Sequence, residues 1–532
     1  MIVLYVGLLQ IIVNVLFRVF NPNSESESIS GLPYPQKRQK VVEQDKFIAQ
    51  HNTHKKIHHN DNNENLDEVE EPDMLNYNDD YSNDIRVINH HDDVRLANVE
   101  DDENPISSQH LPWSTHDAII ERTKDCAKYF DVFPVLYFNQ ILQKYEKQNL
   151  KLTHSLAFSH LVHKEIAIYE AFLSVYFRPN DFYCIHVDKE AKTKVWRAVE
   201  GLVKCYSTKM NNGKIVLIDK KESYKVRWGQ DQMLKADIKC IQKLLELRKR
   251  SKSPWSHSIS MAGSELPLVT YASFKTTLSE ALGKDDSSLE SFVMPNYQLK
   301  RRLNKKAIKN CTVCPDDQNT ETRKWNKQTP LEFSFVNPLN KAMTYKMQVY
   351  KGLRSVILSA KDAEFMVNHP VGKQFYQWIE KSSMTEEHFY SSLIRVKVDP
   401  KTSEITQDRD TTRNDMLHGL CIRYTHWYYG VRMGGKTYKR KACFGNFNHA
   451  ICNFNLFDLE KLKEASEHCL IGNKFSLDID TSAVIVHWSN LMSRSFEETG
   501  KFSKTMNEYA KGNERNFTKS FHNKIMTLVN WQ

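Results

Sequence analysis

From about residue 118 onward, short apolar runs alternate with stretches whose apolar side chains recur at helical spacing. SLAFSHLVH (155–163) reads as a strand and the following KEIAIYEAFLSVYF as a helix, with Ile166, Tyr169, Leu173 and Tyr176 on one face. The alternation continues. FYCIHVD (182–188) predicts a strand, AKTKVWRAVEGLV a helix, KIVLID (214–219) a strand, MLKADIKCIQKLLELRKR (233–250) a long helix, and HSISMAG (257–263) a fourth strand. Repeated βα units of this length predict an α/β fold with a parallel, doubly wound sheet, whose ligands bind beyond the carboxyl ends of the strands. No GxGxxG follows the first strand, which argues against a dinucleotide fold. Residues 301–345, opening RRLNKKAIKNCTVCPDDQNTETRKWNKQ, read as a basic insertion or loop.

The N-terminal part has a different texture. The first seventeen residues, MIVLYVGLLQIIVNVLF, carry no charge, and Arg18, Val19 and Phe20 follow without a small-residue cleavage site. Residues 1–20 therefore read as an uncleaved signal anchor, at the short end of what spans a bilayer. Arg18 lies on the side opposite to the positive-inside expectation, so a lumenal placement rests on other features. Residues 21–115 are rich in Asn, Asp, Glu, Ser and His and are too polar to bury a core, which predicts a disordered stem. Residues 116–532 are left as the catalytic domain.

Charge and cysteine usage narrow the class. The net charge of +9 hides an acidic stem: residues 61–104 hold 16 acidic and 2 basic side chains, leaving a basic body suited to anionic ligands. No zinc-finger spacing or RNA-binding signature accompanies that charge, so nucleic acid is not the expected partner. All ten cysteines lie between Cys126 and Cys469, and sequons stand at Asn310-Cys311-Thr312 and Asn516-Phe517-Thr518. Together with the apolar N-terminus these fit an oxidising lumen and glycosylation at Asn310 and Asn516.

Asp188 closes FYCIHVD at the position where a strand-end carboxylate can accept from a ribose or a base. Asp408-Arg409-Asp410 and Asp478-Ile479-Asp480 match the Asp-x-Asp string of metal-using sugar transferases, but both lie far beyond the nucleotide-binding half. TEEHFYSSL reads as the start of a helix with Thr385 as cap, and by pattern alone Glu387 is a surface acid there.

An ordered series then resembles a known family. LAFSHLVHKE, FYCIHVD, RWG, SMAGSELPL, SLESFVMP followed by Arg301, the Glu386-Glu387 pair, RYTHWYYG, KRKACFG and GNKFSLDID together resemble the core-2/I-branching β-1,6-N-acetylglucosaminyltransferases, relatives of peptide O-xylosyltransferases, over roughly residues 118–490. The resemblance implies a GT-A-like, Rossmann-type mixed sheet flanked by helices, in a single-pass type II Golgi membrane enzyme that works without a metal. It implies Glu387 as catalytic base. It implies His163 and Asp188 at the nucleoside, Arg440 (three residues before Cys443) and Lys474 at the diphosphate, and Glu290, Arg301, Trp427 and Tyr429 at the acceptor. It also implies Cys126–Cys205 and Cys184–Cys240 bridges.

Two departures stand out. Gln298 replaces a lysine of the acceptor site, and the cysteine expected nine residues before Cys443 is absent, which calls for another partner such as Cys421. Cys311-x-x-Cys314 has no second pair at zinc spacing and reads as a local disulfide or free thiols. The expected activity is inverting, metal-independent transfer of GlcNAc from UDP-GlcNAc to a 6-hydroxyl of an O-glycan on glycoproteins, with no cofactor. A xylosyltransferase of the same fold, or an inactive glycan-binding Golgi protein, are the alternatives.

Overall fold

Strands form where the apolar runs were read. β1 (Ser155–Val162), β2 (Phe182–Val187), β3 (Lys214–Leu217) and β4 (Trp255–Ala262) are all parallel, in the order β4-β1-β2-β3. The strand Ile357–Ser359 adds to β4 antiparallel, so the sheet is mixed. In the computed structural model the described residues are 113–132, 154–294, 296–309, 311–313, 331–409, 420–428, 430–433, 436–438 and 443–500. The expected anchor, nearly all of the stem, Asn310, Asn516, Tyr429 and Arg440 lie outside them. Among the described residues no helix is long and apolar enough to cross a membrane.

Because side chains alternate across a strand, the sheet feeds two cores. Leu156, Phe158, Tyr183, Ile185 and Val187 pack with the helices Ile166–Tyr176 and Thr193–Ser207, whereas Ala157, Phe182 and Cys184 pack with the helix Gln232–Arg250. Cys126–Cys205 and Cys184–Cys240 form as the resemblance implies, with Cα atoms 4.9 and 5.5 Å apart.

Three expectations need correction. The single apolar face of Ile166, Tyr169, Leu173 and Tyr176 understates the helix Ile166–Tyr176, since every residue of it is buried, Glu170 and Ser174 included. The helix His116–Arg122 covers its far side, where Arg122 Nε donates to Glu170 at 2.8 Å and a second guanidinium nitrogen reaches the other carboxylate oxygen. The stretch read as a basic loop instead carries the helix Lys305–Lys309 and an antiparallel sheet of Cys311–Val313, Glu332–Val336 and Thr344–Gln348. Its apolar side chains Phe333, Phe335 and Met347 join the second core, packing that the sparse local pattern does not advertise. Cys421 pairs with Cys469, and Cys443 with Cys452 nine residues later.

A second sheet centres on Cys421–Trp427, which runs parallel to Cys469–Asn473. β5 (Glu265–Pro267), two residues after β4, pairs antiparallel with Cys469–Asn473 and so ties the two sheets together.

Candidate active site

The strand order reverses between β1 and β4, and the carboxyl ends on either side of that switch point are where an α/β sheet accepts a ligand. His163 follows β1 directly and is exposed. Desolvation and Lys164 lower its pKa against the opposing pull of Glu165 and Asp188, with Lys474 adding to the lowering. His163 therefore feels the charges of both Asp188 and Lys474.

Asp188 follows β2. Its Oδ1 accepts from Glu190 N at 2.8 Å and its Oδ2 from Val226 N at 2.7 Å, so the carboxylate hangs the 219–230 loop across the sheet end while each oxygen keeps a further lone pair. His186 anchors the same loop, accepting from Tyr224 N at Nε2. Lys474 follows the strand Cys469–Asn473, and its neighbour Phe475 donates to Ser264 O in the β4–β5 turn at 2.8 Å. Burial and Lys164 hold the Lys474 ammonium below its ordinary value despite Glu165, so an arriving anion would be stabilising.

Glu387 lies in the first turn of the helix Thr385–Leu393. Met384, not Thr385, is the cap. It sits in the left-handed region (φ 51°) without a side-chain cap, and Thr385 Oγ1 donates to Ser382 O instead. Tertiary bonds set the entry angle: Met384 N donates to Gly229 O at 3.0 Å and Ser383 N to Arg302 O at 2.7 Å. The 219–230 loop thus joins Asp188 to the helix that carries Glu387.

Around Glu387 the charges are specific. Arg302 Nη1 lies 2.6 Å and Lys351 Nζ 3.7 Å from Oε2, while Oε1 takes no hydrogen bond among the described residues. Burial pushes the Glu387 carboxyl up, but Lys351, Arg302 and His388 together bring it below its ordinary value. Glu386 has the opposite fate: burial and the adjacent Glu387 charge raise it to about 8, and its Oε2 is buried without a hydrogen bond.

Glu290 is buried at the same place. Its carbonyl oxygen would lie 2.1 Å from a Cβ on residue 352, a close approach only Gly352 allows. Gly352 N in turn donates to Glu387 O at 2.8 Å. Arg301 is exposed on the helix Asn296–Arg302, so it is the neighbouring Arg302 that grips Glu387.

Trp427 ends its strand two residues beyond Thr425, which pairs with Asn473 beside Lys474; its indole N–H is buried and finds no acceptor among the described residues. The sheet ends thus carry His163, Asp188 and Lys474, a second group comprises Glu290, Arg302, Lys351 and Glu387, and Trp427 stands on the strand that pairs with the one preceding Lys474. Arg302 and Lys351 were not found from sequence. The KRR run 300–302 held the first as one of three cations, and nothing local marked the second.

Of the two Asp-x-Asp strings, the carboxylates of Asp478 and Asp480 have partners of their own. Asp478 pairs with Lys164 at 2.9 Å, and Asp480 accepts from the backbone N–H groups of Leu456, Ser482 and Ala483. Asp408 donates its backbone N–H to Arg395 O, and Asp410 lies outside the described residues. Among the described residues one group, Cys443, Cys452 and Asp458, has metal-ligand spacing, but its two sulfurs are joined in a disulfide and cannot serve as thiolates.

The chain is 23% identical over 372 residues to a beta-1,3-galactosyl-O-glycosyl-glycoprotein beta-1,6-N-acetylglucosaminyltransferase of Bos taurus, covering 70% of this chain and 76% of the relative. It is 22% identical over 334 residues to the enzyme of that name numbered 3 from Homo sapiens, covering 62% of this chain and 66% of the relative. A Danio rerio relative, numbered 4, is 24% identical over 361 residues, covering 67% and 73%. Residues 156–463 match the family described as Branch, Core-2/I-Branching enzyme, and the chain belongs to that family.

Proposed function

We propose that this glycosyltransferase moves N-acetylglucosamine from UDP-GlcNAc to a 6-hydroxyl of an O-glycan, with inversion and without a metal ion. The observation that carries the reading is the state of Glu387: ionised, with both nearby cations on Oε2 and Oε1 left for an acceptor. A base needs that combination, a carboxylate within reach of a hydroxyl and not neutralised by burial.

In the step proposed, the acceptor oxygen attacks the anomeric carbon as Glu387 takes its proton. The bond from that carbon to the β-phosphate oxygen breaks on the opposite face, and its electron pair leaves with UDP. Lys474 neutralises charge developing on the diphosphate, which a metal would otherwise do. Asp188 and His163 hold the nucleoside, while Glu290 and Trp427 face the acceptor sugar, the Trp427 indole N–H offering a donor to a hydroxyl. The described disulfides fit a lumenal catalytic domain, and residues 1–20 are proposed as its anchor in the Golgi membrane.

The test is a donor and acceptor screen of the full chain in excess EDTA, with the product linkage read by NMR. β-1,6-linked GlcNAc formed in EDTA is the expected result. Transfer from UDP-xylose alone, or activity restored only by added manganese, would replace the donor or the metal-free step respectively.

A further inference from the structure

Trp228 is the most exposed tryptophan among the described residues at 63%, yet its ring is not free: it lies flat against His449, centroids 5.4 Å apart and planes within 5°. The two residues come from segments 221 positions apart in sequence, and each segment is fixed at one end to a residue already placed at the sheet's carboxyl edge. Trp228 belongs to the loop whose Val226 N–H donates to Asp188 Oδ2 at 2.7 Å. His449 belongs to the hairpin of Asn446–Asn448 and Ile451–Asn453, and the next residue, Phe454, donates its N–H to Lys474 O at 2.9 Å. The stacked pair therefore links the loop bonded to Asp188 with the hairpin bonded to Lys474.

The hairpin pays a backbone cost to put the imidazole there. His449 and Ala450 form a two-residue turn between the paired Asn448 and Ile451, both with positive φ, 50° and 59°. A turn of that type ordinarily takes Asn-Gly, and side chains with a Cβ are strained in it. The Cys443–Cys452 bridge and the capping of Asp458, which accepts from Phe444 N and Gly445 N, brace the strands on either side. Strain maintained at one exposed imidazole, with the strands around it cross-braced, points to a task for that ring rather than for the turn.

We propose that His449, oriented by Trp228, contacts the diphosphate of the nucleotide donor together with Lys474. This rests on the reading that the donor is a nucleoside diphosphate sugar. An imidazole N–H is a donor in either protonation state, so the ring can serve a phosphate oxygen. Trp228 is here a positioning residue and His449 a donor-binding one.

The experiment is calorimetry on the full chain with UDP, uridine and inorganic pyrophosphate as probes. His449→Ala is expected to weaken UDP and pyrophosphate roughly 10–100-fold, the range of a hydrogen bond to a charged group, and to leave uridine unchanged. His449→Arg is expected to recover UDP affinity, and Trp228→Ala to lose part of it in the same UDP-selective way. His449→Leu, which keeps bulk without a donor, stands in if the alanine variant fails to fold, with the same UDP-selective loss expected. Equal weakening of UDP and uridine, or no weakening of either, overturns the assignment while leaving the transferase reading in place. Should the wild-type chain bind neither UDP nor uridine but bind pyrophosphate through His449, the donor reading falls and the anion site stands. If it binds none of the three, both fall.

Discussion

Arg302 donates to Glu387 Oε2 at 2.6 Å, and the carboxylate one residue earlier, Glu386, has no hydrogen bond on its buried Oε2. Two adjacent glutamates at one helix start are thus driven to opposite protonation states. Glu387 faces Lys351 and Arg302, whereas Glu386 faces the interior, where the charge nearest to it in sequence is Glu387 itself. Pairs of carboxyl groups whose environments separate their pKa values are how a site keeps one of them available as a base.

Glu387→Gln is expected to reduce turnover by about 10²–10⁴-fold, the usual contribution of a general base, with UDP affinity unchanged. Turnover and UDP calorimetry on the same preparation check it. Near-normal turnover would remove Glu387 from the chemistry.

Glu386→Gln should behave differently, because an amide resembles the protonated acid that burial already favours. Its pKa is raised from 4.5 to about 8, so its contribution to stability is complete below 4.5 and is lost as pH rises through about 8. The wild-type chain should therefore lose stability across that window, and the Gln variant should lose less. Urea unfolding across the window reads the slope; identical slopes would contradict the burial of a neutral Glu386.

Removing Arg302 tests the other half of the pair. Arg302→Met should raise the Glu387 pKa, since a cation that favours the ionised form is gone, and the acid limb of kcat/KM should move to higher pH. Lys351→Met, acting from 3.7 Å, should move the limb in the same direction. The stability effect has its own sign: the depressed Glu387 stabilises above 4.5, and that contribution disappears as pH falls through its folded value. An acid limb unmoved in both variants would place the titrating base elsewhere.

Gly352→Ala places a Cβ 2.1 Å from the Glu290 carbonyl oxygen, a backbone atom that cannot swing aside. A loss of about 1–3 kcal/mol is expected, as for other overpacked sites, together with reduced turnover because Gly352 N also bonds Glu387 O. Urea midpoints and steady-state rates measure both, and a variant equal to wild type in each would show that the segment relaxes at no cost.

The βα alternation through residue 263 was legible because periodicity is a local property, and each of the four strands and three following helices lies within a few residues of where the pattern put it. Glu387, Lys474, His163 and Asp188 could be singled out because they stand in short ordered motifs. What surrounds them could not. Lys351 and Arg302 reach Glu387 from positions 36 and 85 residues away, and the Ile166–Tyr176 helix is buried all round because distant segments pack on it, Arg122 bonding Glu170 and Trp488 bonding Ser174. Likewise Cys421 and Cys469 become neighbours only when their strands pair in parallel. The sequence by itself determined the elements and the chemistry-bearing residue types, since these depend on the chain's near neighbours; the tertiary structure decided which carboxylate is charged and which cation serves it, since burial and Coulomb interaction depend on distances that only folding sets.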